Sequence, residues 1–120
     1  MAILTRETIL EADDLKRELV KIPEWGGDLY ITTLSGADRD SYEASICRFE
    51  GGTARQDFEN MRAKLVSRTA VDESGKRIFS DKDTIELGRK SAAALDRCFA
   101  VASRLNAVSD SDMEELAKNS

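Results

Sequence analysis

Between Leu19 and Asp40 the chain reads LVKIPEWGGDLYITTLSGADRD, and this run constrains the fold more than any other. Val20 and Ile22 lie two apart before Pro23, and Leu29, Ile31 and Thr33 alternate with Asp28, Tyr30 and Thr32 after Gly27. That is the period of extended backbone. Between the two runs, Pro23 fixes one dihedral and Gly26-Gly27 allow positive φ, so the chain can reverse. Ser35 follows, with Asp38 three residues on, a pattern that caps a helix. A lone hairpin is barely stable in water, so this one must pack on the helices that come after it.

The whole chain of 120 residues fits one modest core, and a single domain over 1–120 is the expectation. Apolar residues make up 41% and charged residues 34%, a balance that favours a folded, helix-rich protein over a disordered one. The net charge of −5 comes with no clustered basic face, which argues against a nucleic-acid partner. No apolar run is long enough to span a bilayer, and the start, MAILTRETILEADD, lacks the apolar stretch of a secretory signal. No membrane association and a cytoplasmic location are therefore expected. Cys47 and Cys98 fall inside helical patterns and read as reduced thiols.

The fold class expected is α+β, mainly α: an N-terminal hairpin over about 17–34, packed on a small bundle of four to six helices. Thr5 caps a short helix to about Ala12 that contacts the rest through Ile9 and Leu10. The first long helix runs over about 36–50, with Tyr42, Ile46 and Phe49 at helical spacing, and Gly51-Gly52 stops it. Thr53 caps a second helix over about 54–70, carrying Phe58, Met61, Leu65 and Val66 inward. Residues 71–79 form a connection with a tight turn at Ser74-Gly75, tucked down by Val71, Ile78 and Phe79. Ser80 caps a short helix over about 81–89, holding Ile85 and Leu87. Another helix spans about 91–106, with Leu95, Cys98, Phe99, Ala102 and Leu105 on one face. A final short helix covers about 111–118. Tyr42, Phe49, Phe58 and Phe99 all read as core.

The chain contains no histidine, which removes the commonest general base and the commonest metal ligand. Two cysteines alone build no structural zinc site, and the glycine pairs lack the flanks of a phosphate-cradling loop. Asp110, Asp112, Glu114 and Glu115 lack the glycine and twelfth-position carboxylate of a calcium loop, and read as a helix start favoured by its dipole. No catalytic residue, metal or cofactor is expected. Candidate contact residues remain. Trp25 stands at a turn, where its ring either folds back as a lid on the core or faces a partner as a binding hot spot. Met113 and Leu116 form a small apolar stripe that either packs at home or docks on a partner.

The segments LTRETILEADDLK, VKIPEWGGDLYITTLSGADRDSYEAS and ENMRAKLVSRTAVDESGKRIFSDKDTIELGRKSAAALDRCFAVASRLN, in this order and spacing, resemble the tail assembly chaperones of long-tailed, siphovirus-type bacteriophages and prophages. The most telling pieces are the Pro23-to-Gly27 turn with its following strand, the Arg62-to-Val66 helix with Val71-Asp72 and Phe79-Ser80-Asp81 behind it, and the Leu105-Asn106 helix end. The resemblance implies a non-enzymatic protein of the host bacterial cytoplasm that is absent from the mature virion. It implies binding to the tape measure protein, a long helical chain that sets tail length. It also implies self-association, and recruitment of tail tube protein through a longer form made by ribosomal frameshifting. Ala117-Lys118-Asn119 fits slippery codons GCA-AAA-AAC near that end. A structural head–tail joining or minor tail protein is the competing expectation, and a small acidic adaptor domain a further one.

Overall fold

A computed structural model describes residues 2–106 of the chain. Helix α1 (Arg6–Glu11) precedes the hairpin of β1 (Arg17–Ile22) and β2 (Gly27–Thr32), whose turn is a 3-10 turn over Pro23–Trp25. Then come α2 (Gly36–Ser45), a second hairpin of β3 (Cys47–Glu50) and β4 (Thr53–Gln56), α3 (Met61–Thr69), β5 (Ala70–Val71), a 3-10 turn at Asp81–Asp83 leading into α4 (Thr84–Leu87), and α5 (Ala92–Leu105). The architecture is α+β, as the sequence leads one to expect.

The first hairpin forms as its alternation dictates. Arg17 pairs with Thr32, Leu19 with Tyr30 and Ile22 with Gly27, all antiparallel, and Gly26 closes the turn at φ +77. Tyr30 and Ile31 then pair with Val71 and Ala70, giving a three-stranded sheet in the order β1-β2-β5. Val20, Ile22 and Ile31 point into the core, where α3 supplies Ala63, Leu65 and Val66, and α5 supplies Ala94, Leu95, Cys98 and Ala102. Tyr42 from α2, Ile46 just after it, Ala70 from β5 and Leu87 from α4 complete it. Burying each large side chain of this set contributes roughly 1.5–3 kcal/mol.

Helix α3 is the most enclosed of the described helices, with Ala63 and every residue from Leu65 to Thr69 buried. Its polar members are satisfied locally. Thr69 Oγ1 donates to Leu65 O at 2.8 Å, and buried Arg68 donates to Lys64 O at 2.8 Å and Ser41 Oγ at 3.3 Å. The 71–79 connection turns where expected. Asp72 Oδ1 accepts from Ser74 N–H, Ser74 Oγ and Lys76 N–H, and Gly75 takes φ +88. Arg77 closes it by donating to Ser67 O near the end of α3, at 3.1 and 3.0 Å.

Three expectations fail. The helix over 36–50 stops at Ser45, and the helix over 54–70 begins only at Met61. Between them stand two strands, Cys47 paired with Gln56 and Glu50 with Thr53, around Gly51-Gly52 at φ +57 and +80. A glycine pair with positive φ at both positions is a hairpin turn rather than a helix stop. The cap read at Thr53 therefore does not exist; Asn60, at φ 56, precedes α3 instead. The second failure concerns the core: Phe49 is 77% exposed on β3, Phe58 is also exposed, and so are Ile78 and Ile85. Third, α1 buries none of its residues, so Ile9 and Leu10 make no core contact. The helix expected over 81–89 is a 3-10 turn at Asp81–Asp83 followed by α4, which ends at Leu87; Gly88 caps it where Asn60 comes close, and a Cβ there would meet Asn60 Oδ1 at 2.6 Å.

Candidate functional site

The Pro23–Trp25 turn is held against α5 by charge. Arg97 forms a two-pronged ion pair with Glu24, and this bond holds the Glu24 carboxyl below its ordinary value of 4.5. Trp25, next in the chain, is partly buried and packs against the core. It also lines a surface cavity of about 370 Å³, whose other walls are Phe79, Asp83, Glu86, Leu87 and Lys90. Three apolar groups thus meet two carboxylates and one ammonium. Asp83 is fixed from within, its Oδ2 accepting from Ser80 N–H at 2.8 Å and Ser80 Oγ at 3.2 Å. Glu86 and Lys90 are exposed. Such a cavity takes an apolar side chain and holds polar or charged neighbours at its rim.

Among the described residues no group of three or more His, Cys, Asp or Glu is arranged to hold a metal ion, and no helix is long and apolar enough to cross a membrane. Burial pushes the Cys98 thiol up to about 11, so it stays protonated and unreactive at neutral pH.

The profile of the family described as "Phage tail assembly chaperone" matches residues 5–119. The chain belongs to that family. No curated protein matches it. Among solved structures, the bacteriophage HK97 tail assembly chaperone is similar at 14% identity and a TM-score of 0.56, with 82% of this chain and 94% of that one covered. That likeness shows a shared fold. A tail assembly chaperone works with phage tail proteins and is not an enzyme class.

Of the contact residues expected from the sequence of this chaperone, Trp25 has the place just described, while Met113 and Leu116 lie outside the described residues. The partners of Trp25 in its cavity were not legible as a site. Phe79, Leu87 and Lys90 lie more than 50 residues downstream, and each reads by itself as a core or surface residue. Only the folded chain brings them together around Trp25.

Proposed function

We propose that this tail assembly chaperone binds the tape measure protein in the host bacterial cytoplasm and keeps it soluble until tail tube subunits polymerise around it. The observation that carries this reading is the open apolar cavity beside Trp25, set in a family of tail assembly chaperones. A long amphipathic helix exposes apolar stripes that aggregate. One apolar side chain per contact, seated between Trp25, Phe79 and Leu87, covers such a stripe piecemeal, and the chaperone's net charge of −5 adds repulsion between coated chains. Met113 and Leu116 supply a second apolar contact. Copies self-associate along the partner, and the complex is dismantled before the virion matures. Tail tube protein is recruited by a longer form made by frameshifting at the Ala117-Lys118-Asn119 codons.

Co-expression with the tape measure protein encoded nearby tests the reading. Soluble tape measure should rise and co-purify with the chaperone, and Trp25→Ala should lower the captured amount while the fold persists by circular dichroism. No change in solubility and no co-purification would overturn it. So would stoichiometric amounts of this chain in purified particles, which would mark a head–tail joining or minor tail protein. A gene without a slippery run at those codons removes the frameshift.

A further inference from the structure

Asp83, Glu86, Leu87 and Lys90 follow one another at spacings of three, one and three residues, which brings side chains to one side of a coil, and all four line the cavity beside Trp25. The walls are of two kinds. Trp25, Phe79 and Leu87 are apolar, and Asp83, Glu86 and Lys90 set two carboxylates against one ammonium. Lys82 and Arg89, the other cations of this segment, are not among the walls. The volume of about 370 Å³ lies at the small end of ligand pockets, which run from about 300 to 1,000 Å³, and suits one large side chain. The Trp25 wall is set in advance, because Pro23 opens its turn and Glu24, the preceding residue, is tied to Arg97 of α5.

The charges of this cavity are not neutralised within the molecule. Around it the fold pairs its charges off: Arg97 with Glu24, Arg104 with Glu18, Arg62 with Asp96 and Arg77 with Asp81. Among the described residues, Asp83, Glu86 and Lys90 enter no such pair. Glu86 and Lys90 are four apart, yet α4 ends at Leu87 and Gly88 caps it, so no helical turn brings the two together. Asp83 bonds Ser80 through Oδ2 alone, which leaves Oδ1 for a partner. An apolar socket edged by two unpaired carboxylates is complementary to an apolar side chain with a cation beside it. A helix presents that arrangement when Lys or Arg stands three or four residues from the apolar residue. A carboxylate in the same place meets Asp83 and Glu86 as like charges, and the net charge of −5 repels it at longer range.

We infer that the Trp25 cavity selects amphipathic helices in which Lys or Arg stands one turn from the seated aliphatic side chain, and rejects those with Asp or Glu there. This rests on the cavity being the partner-binding site of the proposed function, and it adds which helical stripes that site takes.

Trp25 is the only tryptophan of the chain, so its emission reports on the cavity directly. Three tryptophan-free peptides of about 20 residues, long enough to hold a helix, are titrated into the full chain at low and high salt. The first carries a leucine stripe with Lys one turn from each leucine, the second the same stripe with Glu, and the third the Lys pattern with every leucine replaced by serine. The Leu/Lys peptide should shift the emission and bind about tenfold more tightly than Leu/Glu at low salt, and added salt should narrow the gap. The Ser/Lys peptide should leave the emission unchanged. Glu86 is exposed, and its side chain enters no hydrogen bond or ion pair among the described residues. Glu86→Lys should therefore cut the preference to about threefold or less, and Glu86→Gln should fall between it and the wild type, with unchanged melting to show that the body is intact. Equal affinity for Leu/Lys and Leu/Glu, a Ser/Lys peptide that binds as well as Leu/Lys, or a preference that Glu86→Lys leaves whole would overturn the inference. Absence of the preference while Trp25→Ala still lowers tape measure capture ends this inference and leaves the proposed function standing. A clear Leu/Lys preference with tape measure capture indifferent to Trp25→Ala does the reverse.

Discussion

Two β-hairpins stand within thirty residues of each other, and they live by different means. The first pairs strands of six residues, gains a third strand from β5, and presses Val20, Ile22 and Ile31 onto α3 and α5. The second pairs strands of four residues and joins no other strand. Its Cys47–Phe49–Ala54–Gln56 face carries a ring that is 77% exposed, and its Arg48–Glu50–Thr53–Arg55 face is wholly exposed. Backbone pairing is common to both, so pairing is not what separates them. Burial against helices anchors the first; the second rests on its glycine turn, on the Asp57 N–H that donates to Ile46 O at 2.7 Å, and on ion pairs from Arg48 to Glu50 and Asp57. A two-stranded ribbon with so little apolar cover is marginal, and it is expected to open locally long before the body unfolds.

The largest test of this contrast is Ile31→Ala. Ile31 has no exposed surface and sits on the central strand, so truncation removes its transfer energy and leaves a cavity, at a cost of about 2–5 kcal/mol. Chemical denaturation should show the loss in global stability with an unchanged slope. A loss below about 1 kcal/mol would mean that the first hairpin is no better anchored than the second.

Gly52→Ala comes next. Gly52 holds φ +80 with open space around it, so an alanine meets no neighbour and is penalised only by backbone strain, about 1–3 kcal/mol. Because the second hairpin is nearly autonomous, the cost should fall locally. Amide exchange over 47–56 should quicken, while the amides of β1, β2 and α5 keep their protection. Equal quickening in both regions would show that the hairpins unfold as one unit.

The same contrast explains what could be read from the chain and what could not. The first hairpin was legible because Leu29, Ile31 and Thr33 alternate with polar neighbours and a Pro-Gly-Gly turn breaks them from Val20 and Ile22. The second was hidden because Tyr42, Ile46 and Phe49 also fit a helical stripe, and Tyr42 and Ile46 are indeed buried; Phe49 continues the spacing by coincidence. The signal that decides it was present: Cys47-Arg48-Phe49-Glu50 alternates, and Gly51-Gly52 sits two residues wide between two short runs. The α5 stripe of Leu95, Cys98 and Ala102 was legible for the ordinary reason that a long helix buries one face. The cavity beside Trp25 was legible only at Trp25. Phe79 and Lys90, on either side of α4 in the chain, line it with Trp25 only in the folded molecule, and no local pattern encodes that.

Acid probes how each hairpin is tied to the body, with a smaller effect. Glu24 ties the first turn to α5, and Asp57 ties the second hairpin, accepting from Glu59 N–H at 3.0 Å and from Arg48 at 2.9 Å. Both carboxyls lie below their ordinary values, Glu24 chiefly through Arg97 and Asp57 chiefly through that backbone N–H. A depressed carboxyl binds fewer protons folded than unfolded, so its stabilisation is present above the ordinary values of 4.5 and 3.8 and is lost as pH falls through the lower folded values. Acidification below about pH 4 should release the second hairpin first, as seen in the exchange of 47–56, since the first retains its buried face. Simultaneous loss of both would show that the ion pairs, and not burial, carry the first hairpin.

The smallest expected effect is also the sharpest discriminator. Phe49→Ala removes a ring that is 77% exposed and cross-strand from Ala54. A surface truncation of this kind changes global stability by no more than about 0.5 kcal/mol, against several for Ile31→Ala. Phe49 stands opposite Ala54 in the ladder, a cross-strand pair that contributes to the ribbon itself, so exchange of Phe49 and Ala54 amides should quicken slightly while denaturation midpoints hold. A loss above about 1 kcal/mol in dilute solution would place the ring in a buried setting and make the second hairpin as much a part of the core as the first. A loss that appears only as protein concentration rises would place that burial between copies. The concentration dependence of the Phe49→Ala denaturation midpoint therefore separates a ring covered within one molecule from one covered by a neighbour, and an unchanged midpoint at every concentration leaves it facing water.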